Sequence, residues 1–154
     1  MAIKVTITGL KEIIAGLRLR MGKMSQFTKA LTAVGNNEIA LAKQRIAVSK
    51  MSPEGTAWLP WSEATRIGRE REGSAEGGLL YRTGSLYNSF QIEINSNQLI
   101  VKNVAPYAMM LQQGTPNMPA RPYFGWSDAS KTKIITVFED FLGKTIVEGK
   151  DYNP

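Results

Sequence analysis

Apolar and polar residues alternate from Ile3 to Thr8, and this period of two predicts a short strand that Gly9 ends. Leu10, Ile13, Ile14, Leu17 and Met21 then recur at three- and four-residue spacing, which predicts an amphipathic helix closed by Gly22. Ser25 is placed to cap a second, longer helix with Phe27, Ala30, Leu31, Val34, Leu41 and Ala42 along one stripe. It should run to about Lys50, where Ser52-Pro53 stops it. Gly35-Asn36-Asn37 interrupts its helix-forming composition and is a candidate bend.

Residues 52–64 read as a loop pinned by Trp58 and Trp61, and Glu63 to Arg69 as one or two helical turns. The stretch 69–78 is charged and glycine-rich without an apolar anchor, so it is expected to be a mobile loop. A helical turn is expected at Leu86. Phe90, Ile92 and Ile94 alternate with Gln91, Glu93 and Asn95, the mark of a half-buried strand. Turn residues follow, then Leu99-Ile100-Val101, so the pair reads as a β-hairpin. Ala105-Pro106 starts a short helix through Leu111, Arg121 to Trp126 looks like a strand, and Ser127 can cap a last helix carrying Ile134, Val137, Phe138, Phe141 and Leu142.

Strands that cluster without regular helical crossovers favour an α+β fold with a mainly antiparallel sheet and packed helices. One domain is expected over residues 1–148, with a frayed tail at 149–154. A chain of 154 residues is long enough to bury a core without staples.

Composition removes much chemistry. There is no Cys and no His, which takes away thiol nucleophiles, disulfides, the usual zinc sites and imidazole acid–base catalysis. The carboxylates are scattered, and the adjacent Glu139 and Asp140 point about 100° apart on a helix. Thr83-Gly84-Ser85 offers a hydroxyl but no base within a Ser-x-x-Lys arrangement, so Ser85 reads as a cap. No phosphate loop, dinucleotide fingerprint or calcium loop is present. An enzyme is not expected, nor a metal or cofactor. No apolar run approaches the roughly 20 residues of a membrane span, and the N-terminus lacks signal-peptide character. A soluble protein made in the cytoplasm is expected.

The formal charge is +6, and residues 1–50 hold nine Lys/Arg against Glu12 and Glu38. Lys11, Arg18, Arg20 and Lys23 are the candidates for a basic surface facing DNA. A solvated helix face explains the same charge. The aromatics sit elsewhere, between 58 and 126, so the two signals of nucleic-acid binding are not interleaved.

Three ordered segments carry the most specific signal. They are Ser52-Pro53-Glu54-Gly55 with Trp58-Leu59-Pro60-Trp61 and Thr65; Leu79-Leu80 with Thr83-Gly84-x-Leu86; and Tyr107-Ala108 with Gln112 and Gly114, leading to Pro119-Ala120-Arg121-Pro122-Tyr123-Phe124-Gly125. In that order and spacing they resemble the phage virion-morphogenesis or tail-completion family, proteins of the neck of contractile-tailed bacteriophages. The resemblance spans about residues 10–142. It departs at Leu111, where such proteins often carry a His, so no role of that His is carried over.

The resemblance implies a virion protein that forms a six-fold ring at the head-proximal end of the tail, completes the tail and helps join it to the head. Neighbouring neck and tail proteins, such as a tail terminator, a head–tail connector and the tube or sheath, would be its partners, with DNA a further contact in a ring lumen. Rings need heterologous contacts, and Trp58, Trp61, Arg82, Tyr107, Gln112, Arg121 and Tyr123 are the candidates to make them. Trp58 and Trp61 fit a core or an interface equally, whereas Tyr107, Phe124 and Trp126 are expected in the chain's own core. Arg121 is placed for a bidentate contact with a carboxylate, in the same subunit or across an interface. A head-completion or tail-terminator protein of the same junction is the close alternative, and a small non-specific DNA-binding protein is the alternative of another class.

Overall fold

The structure, a computed structural model, describes residues 3–6, 24–74, 78–95 and 98–142. In chain order these form β1 (Ile3–Thr6), α1 (Met24–Gln44), a π-helical turn (Arg45–Ser49), α2 (Glu63–Arg71), α3 (Ser85–Asn88), β2 (Phe90–Asn95), β3 (Gln98–Asn103), α4 (Ala108–Gln113) and α5 (Asp128–Leu142). The helix expected over residues 10–21, with Lys11, Arg18, Arg20 and Lys23, lies outside the described residues, as does the tail from 143. The fold is α+β with an antiparallel sheet.

The sheet has three strands in the order β1-β3-β2. Asn95 pairs with Gln98 and Phe90 with Asn103, which makes β2 and β3 the expected hairpin; β1 joins β3 from the other side, Ile3 opposite Asn103. The pleat turns Phe90, Ile92 and Ile94 of β2, and Leu99 and Val101 of β3, toward one core.

Helix α1 lies across that face because its stripe is apolar. Phe27, Ala30, Leu31, Val34 and Ala42 are buried there, and Ile46 of the π-helical turn continues them. The Gly35 segment does not interrupt the helix. A Cβ at Gly35 would stand 2.9 Å from Ile92 Cδ1 and 3.1 Å from Leu99 Cδ1, so the missing side chain lets the helix approach the sheet. On its other flank α1 packs against α5, with the Phe27 and Phe138 rings 6.3 Å apart.

The end of α1 is unusual. The π-helical turn closes with Lys50 in the left-handed region at φ 52°, its N–H donating to Arg45 O at 2.9 Å. The chain then folds tightly through Ser52–Thr56, and Trp58 N–H returns to Lys50 O at 3.0 Å.

Two expectations change here. Segment 69–78 is not a free excursion at its start, because α2 continues to Arg71 and Ser74 N–H bonds Arg69 O at 2.9 Å; residues 75–77 lie outside the description. Arg121–Trp126 is not a strand. Its polar groups are met by a side chain instead of a neighbouring strand. Gln112 Oε1 accepts from Tyr123 N–H (3.1 Å) and Phe124 N–H (3.2 Å), while Gln112 Nε2 donates to Phe124 O at 2.6 Å.

Candidate assembly surface

The signature segments meet in space. Trp58 Nε1 donates to Pro122 O at 3.0 Å. Arg121 answers from the other side, with Nε and Nη2 donating to Leu59 O (3.2 and 3.1 Å) and Nη2 to Pro60 O (3.1 Å). The first and third segments are therefore sewn together by side chain-to-backbone bonds in both directions. Arg121 is 4% exposed, and no carboxylate among the described residues meets it: backbone carbonyls stand where a carboxylate partner was expected. Carbonyl dipoles suit a fork of donors as well as a carboxylate does, and they leave the cation's charge uncancelled. Burial accordingly pulls its pKa down from the ordinary arginine value.

Tyr123 is wholly buried, edge-on to Phe90 at 6.1 Å between centroids, and its Oη has no hydrogen-bond partner among the described residues. Burial raises its pKa, with the Tyr107 hydroxyl adding to the effect. Phe124 is buried as expected, Trp126 is half-buried, and Tyr107 is exposed, contrary to its expected place in the core. Tyr107 precedes α4 at the edge of the fold, near exposed Val104 and Met110 in sequence.

Beneath the sewn segments lies a polar chain that the sequence reading did not single out. Arg45 Nη1 donates to Tyr123 O (3.4 Å) and Gly125 O (3.3 Å), and Nη2 to Ser127 Oγ (3.1 Å). Ser127 and Ser130 share a hydroxyl contact at 3.0 Å, and Ser130 Oγ donates to Glu38 Oε2 at 2.9 Å. Ser127 also caps α5, its Oγ accepting from Ser130 N–H at 3.2 Å. Desolvation raises the pKa of Glu38, opposed by its bonds to Ser130 and Asn37 and by the charge of Arg45. Desolvation lowers that of Arg45, opposed by Glu38 and Glu54. A sequence signal existed: Glu38 and Arg45 fall on the buried stripe, at helical spacing from Val34 and Ala42.

Helix α2, which follows the tryptophans of the first segment, stands apart. Ser62 caps α2 by accepting from Thr65 N–H, and Arg66 pairs with both Glu63 and Glu70. No residue of α2 is buried. The helix is held through Trp61, whose Nε1 donates to Leu79 O at 3.2 Å and whose ring lies 5.0 Å from the Arg69 guanidinium. Arg82, largely exposed, pairs with Glu72 at 2.8 Å.

Of the candidates for assembly contacts, Trp58, Gln112, Arg121 and Tyr123 thus turn their polar backbone-binding or ring surfaces inward, whereas Trp61, Arg82 and Tyr107 present surface to solvent. Ser52, Glu54, Thr56, Ala57, Trp58, Leu59, Ala120 and Pro122 line a shallow pocket of about 340 Å³ on the sewn block. Exposed Met51 and Leu59 belong to the same stretch of chain. Among the described residues no three acidic, His or Cys side chains gather as for a metal ion, and no helix is long and apolar enough to cross a membrane.

No curated protein and no solved structure matches the chain. The phage virion morphogenesis family matches residues 5–143, which takes in all three signature segments, and the chain belongs to that family.

Proposed function

We propose that this protein completes the phage tail at the neck, forming a six-fold ring at the head-proximal end and helping to join tail to head. Membership of the family carries a structural or assembly role in the virion, with other virion proteins as partners. The finer reading is supported by one observation: the first and third signature segments build a braced block, bordered by a shallow pocket, on which Leu59 stays exposed. Rigid loops on a sheet-and-helix scaffold suit repeated contacts between identical subunits. A tail terminator, a head–tail connector and the tube or sheath are the neighbours such a ring would meet.

DNA in a lumen would depend on Lys11, Arg18, Arg20 and Lys23. The described cations of α1 and its π-helical turn are partly engaged within the fold, Arg45 in the buried chain and Lys43 over the Tyr87 ring at 4.6 Å.

The test is electron microscopy of lysates from phage lacking this protein. Filled heads and separate tails, restored to joined particles by supplying the protein, are the expected result. Normally joined, infectious particles without it overturn the reading. Tails of uncontrolled length would instead assign it to the terminator of the same junction.

A further inference from the structure

We propose that Tyr107 and Met110 of one copy of the chain pack into the hollow beside Leu59 of a second copy. The proposal rests on the ring reading and names the contact that repeats around it.

The segment that carries Tyr107 and Met110 is apolar on its outer side. Val104, Tyr107, Met110 and Gln113 recur every three residues and are all exposed, Met110 by 51%. Tyr107 and Met110 share one face because the entry to α4 is already helical, with Leu111 N–H on Tyr107 O at 3.1 Å. The positions turned inward, Ala105 and Ala108, are small. Apolar bulk therefore meets solvent, the reverse of an ordinary surface helix. Charge is missing as well: no Asp, Glu, Lys or Arg lies between Lys102 and Arg121, the longest uncharged stretch of the sequence. Exposed Tyr and Met without charged neighbours suit the centre of a protein interface and offer a phosphate backbone nothing.

The hollow supplies the counterpart. Ala57, Trp58, Leu59 and Pro122 give it apolar walls, and Ser52, Glu54 and Thr56 place acceptors along its rim. Met51 pairs with Ala57 in an antiparallel bridge, so exposed Met51 widens the apolar surface to which Leu59, 62% exposed, also belongs. Lys50, the one cation between Ile46 and Trp61, lies against Gly78 instead. At about 340 Å³ the hollow has room for one large side chain. The Tyr107 hydroxyl forms no hydrogen bond among the described residues, and it is a donor of the kind the rim acceptors need.

No residue of the ridge lines the hollow of its own chain. Ala120, which does line it, stands against Gly114 at the end of α4, and Arg121 N–H bonds Leu111 O at 2.8 Å. Val104 and Tyr107 precede α4, so the ridge begins at the opposite end of that helix from the hollow. Two different surfaces that fit each other make a heterologous contact, the kind that closes rings.

The test places p-benzoylphenylalanine at position 110 and irradiates assembled particles. A covalent dimer whose cross-linked peptide maps to residues 51–59 of a second copy is expected. A cross-link to another virion protein, or none, in particles that quantitative mass spectrometry shows to hold several copies, overturns the contact and leaves the ring. A dimer joined through α4 of both copies overturns it too, since the contact is then isologous. One copy per particle overturns the ring and the contact with it. As a second measurement, Met110→Asp and Leu59→Lys should each lower infectious titre roughly tenfold or more without lowering the melting temperature, and the double variant should restore the titre. Unchanged titres in both single variants, or a double variant no better than either, overturn the contact.

Discussion

Trp58 and Arg121 each donate to the backbone beside the other, the indole to Pro122 O and the guanidinium to Leu59 O and Pro60 O. Two stretches of irregular chain more than sixty residues apart are thereby held in register without a sheet ladder. The arrangement needs a buried cation, which costs desolvation, and charge-assisted bonds to three donor–acceptor pairs offset that cost.

Arg121→Met should therefore destabilise by about 2–4 kcal/mol, since it leaves two carbonyls without their donors. Arg121→Lys keeps the charge but not the fork and should cost about 1–2 kcal/mol. Urea unfolding of these variants and of Trp58→Phe, taken as a double-mutant cycle, should give a coupling between the two residues above about 0.5 kcal/mol. Simple additivity would refute the reciprocal brace.

Gln112 stands in for a strand, offering its amide to the backbone of Tyr123 and Phe124. Gln112→Leu should cost about 2–3 kcal/mol through the unsatisfied backbone it leaves. Amide exchange at Tyr123 and Phe124 should quicken relative to that at Ile100 and Val101 in β3. Equal protection in variant and wild type would show that another group satisfies them.

Glu38 gives a pH dependence whose sign can be worked out. Its folded pKa is raised above the ordinary 4.5, so between those values the folded state binds more protons than the unfolded one. Its contribution is most favourable below 4.5 and declines as pH rises through the raised folded value. Glu38→Gln should flatten that decline when melting temperature is followed from acid to neutral pH. An unchanged slope would mean that Glu38 titrates as an exposed carboxyl.

Gly114 closes α4 at φ +77°, and a Cβ there would lie 2.7 Å from Ala120 N and 2.8 Å from Met118 O. Both neighbours are backbone and cannot rotate aside. Gly114→Ala should destabilise by roughly 2–4 kcal/mol, measured by denaturant titration. Gly68→Ala, with nothing near its added Cβ in exposed α2, should be neutral or stabilising by up to about 1 kcal/mol.

The regular elements were legible because their signals are local. The stripe from Phe27 to Ala42 predicted α1, and the alternation from Phe90 to Asn95 predicted β2. Arg121–Trp126 was misread as a strand because its β-like composition reflects burial, while its hydrogen-bond partner, Gln112, sits on another element. The buried Glu38–Arg45 chain was hidden for a related reason: in a count of charges both residues look like solvent-facing groups, and only their phase on the helix places them inside. Tyr107 shows the converse, an aromatic whose side chain the fold leaves exposed.

The π-helical turn at Arg45–Ser49 amounts to one residue more than an α-helix would need over the same path. That surplus sets the rotational phase with which the chain leaves α1 and enters the Trp58 loop. Wound as an ordinary α-helix, the same residues would carry the exit on by that surplus residue, a swing of about 100°. Arg45 and the tryptophan loop could then no longer both reach the 121–127 segment, so the length of this short turn acts as a gauge that aligns the braced block with the rest of the protein.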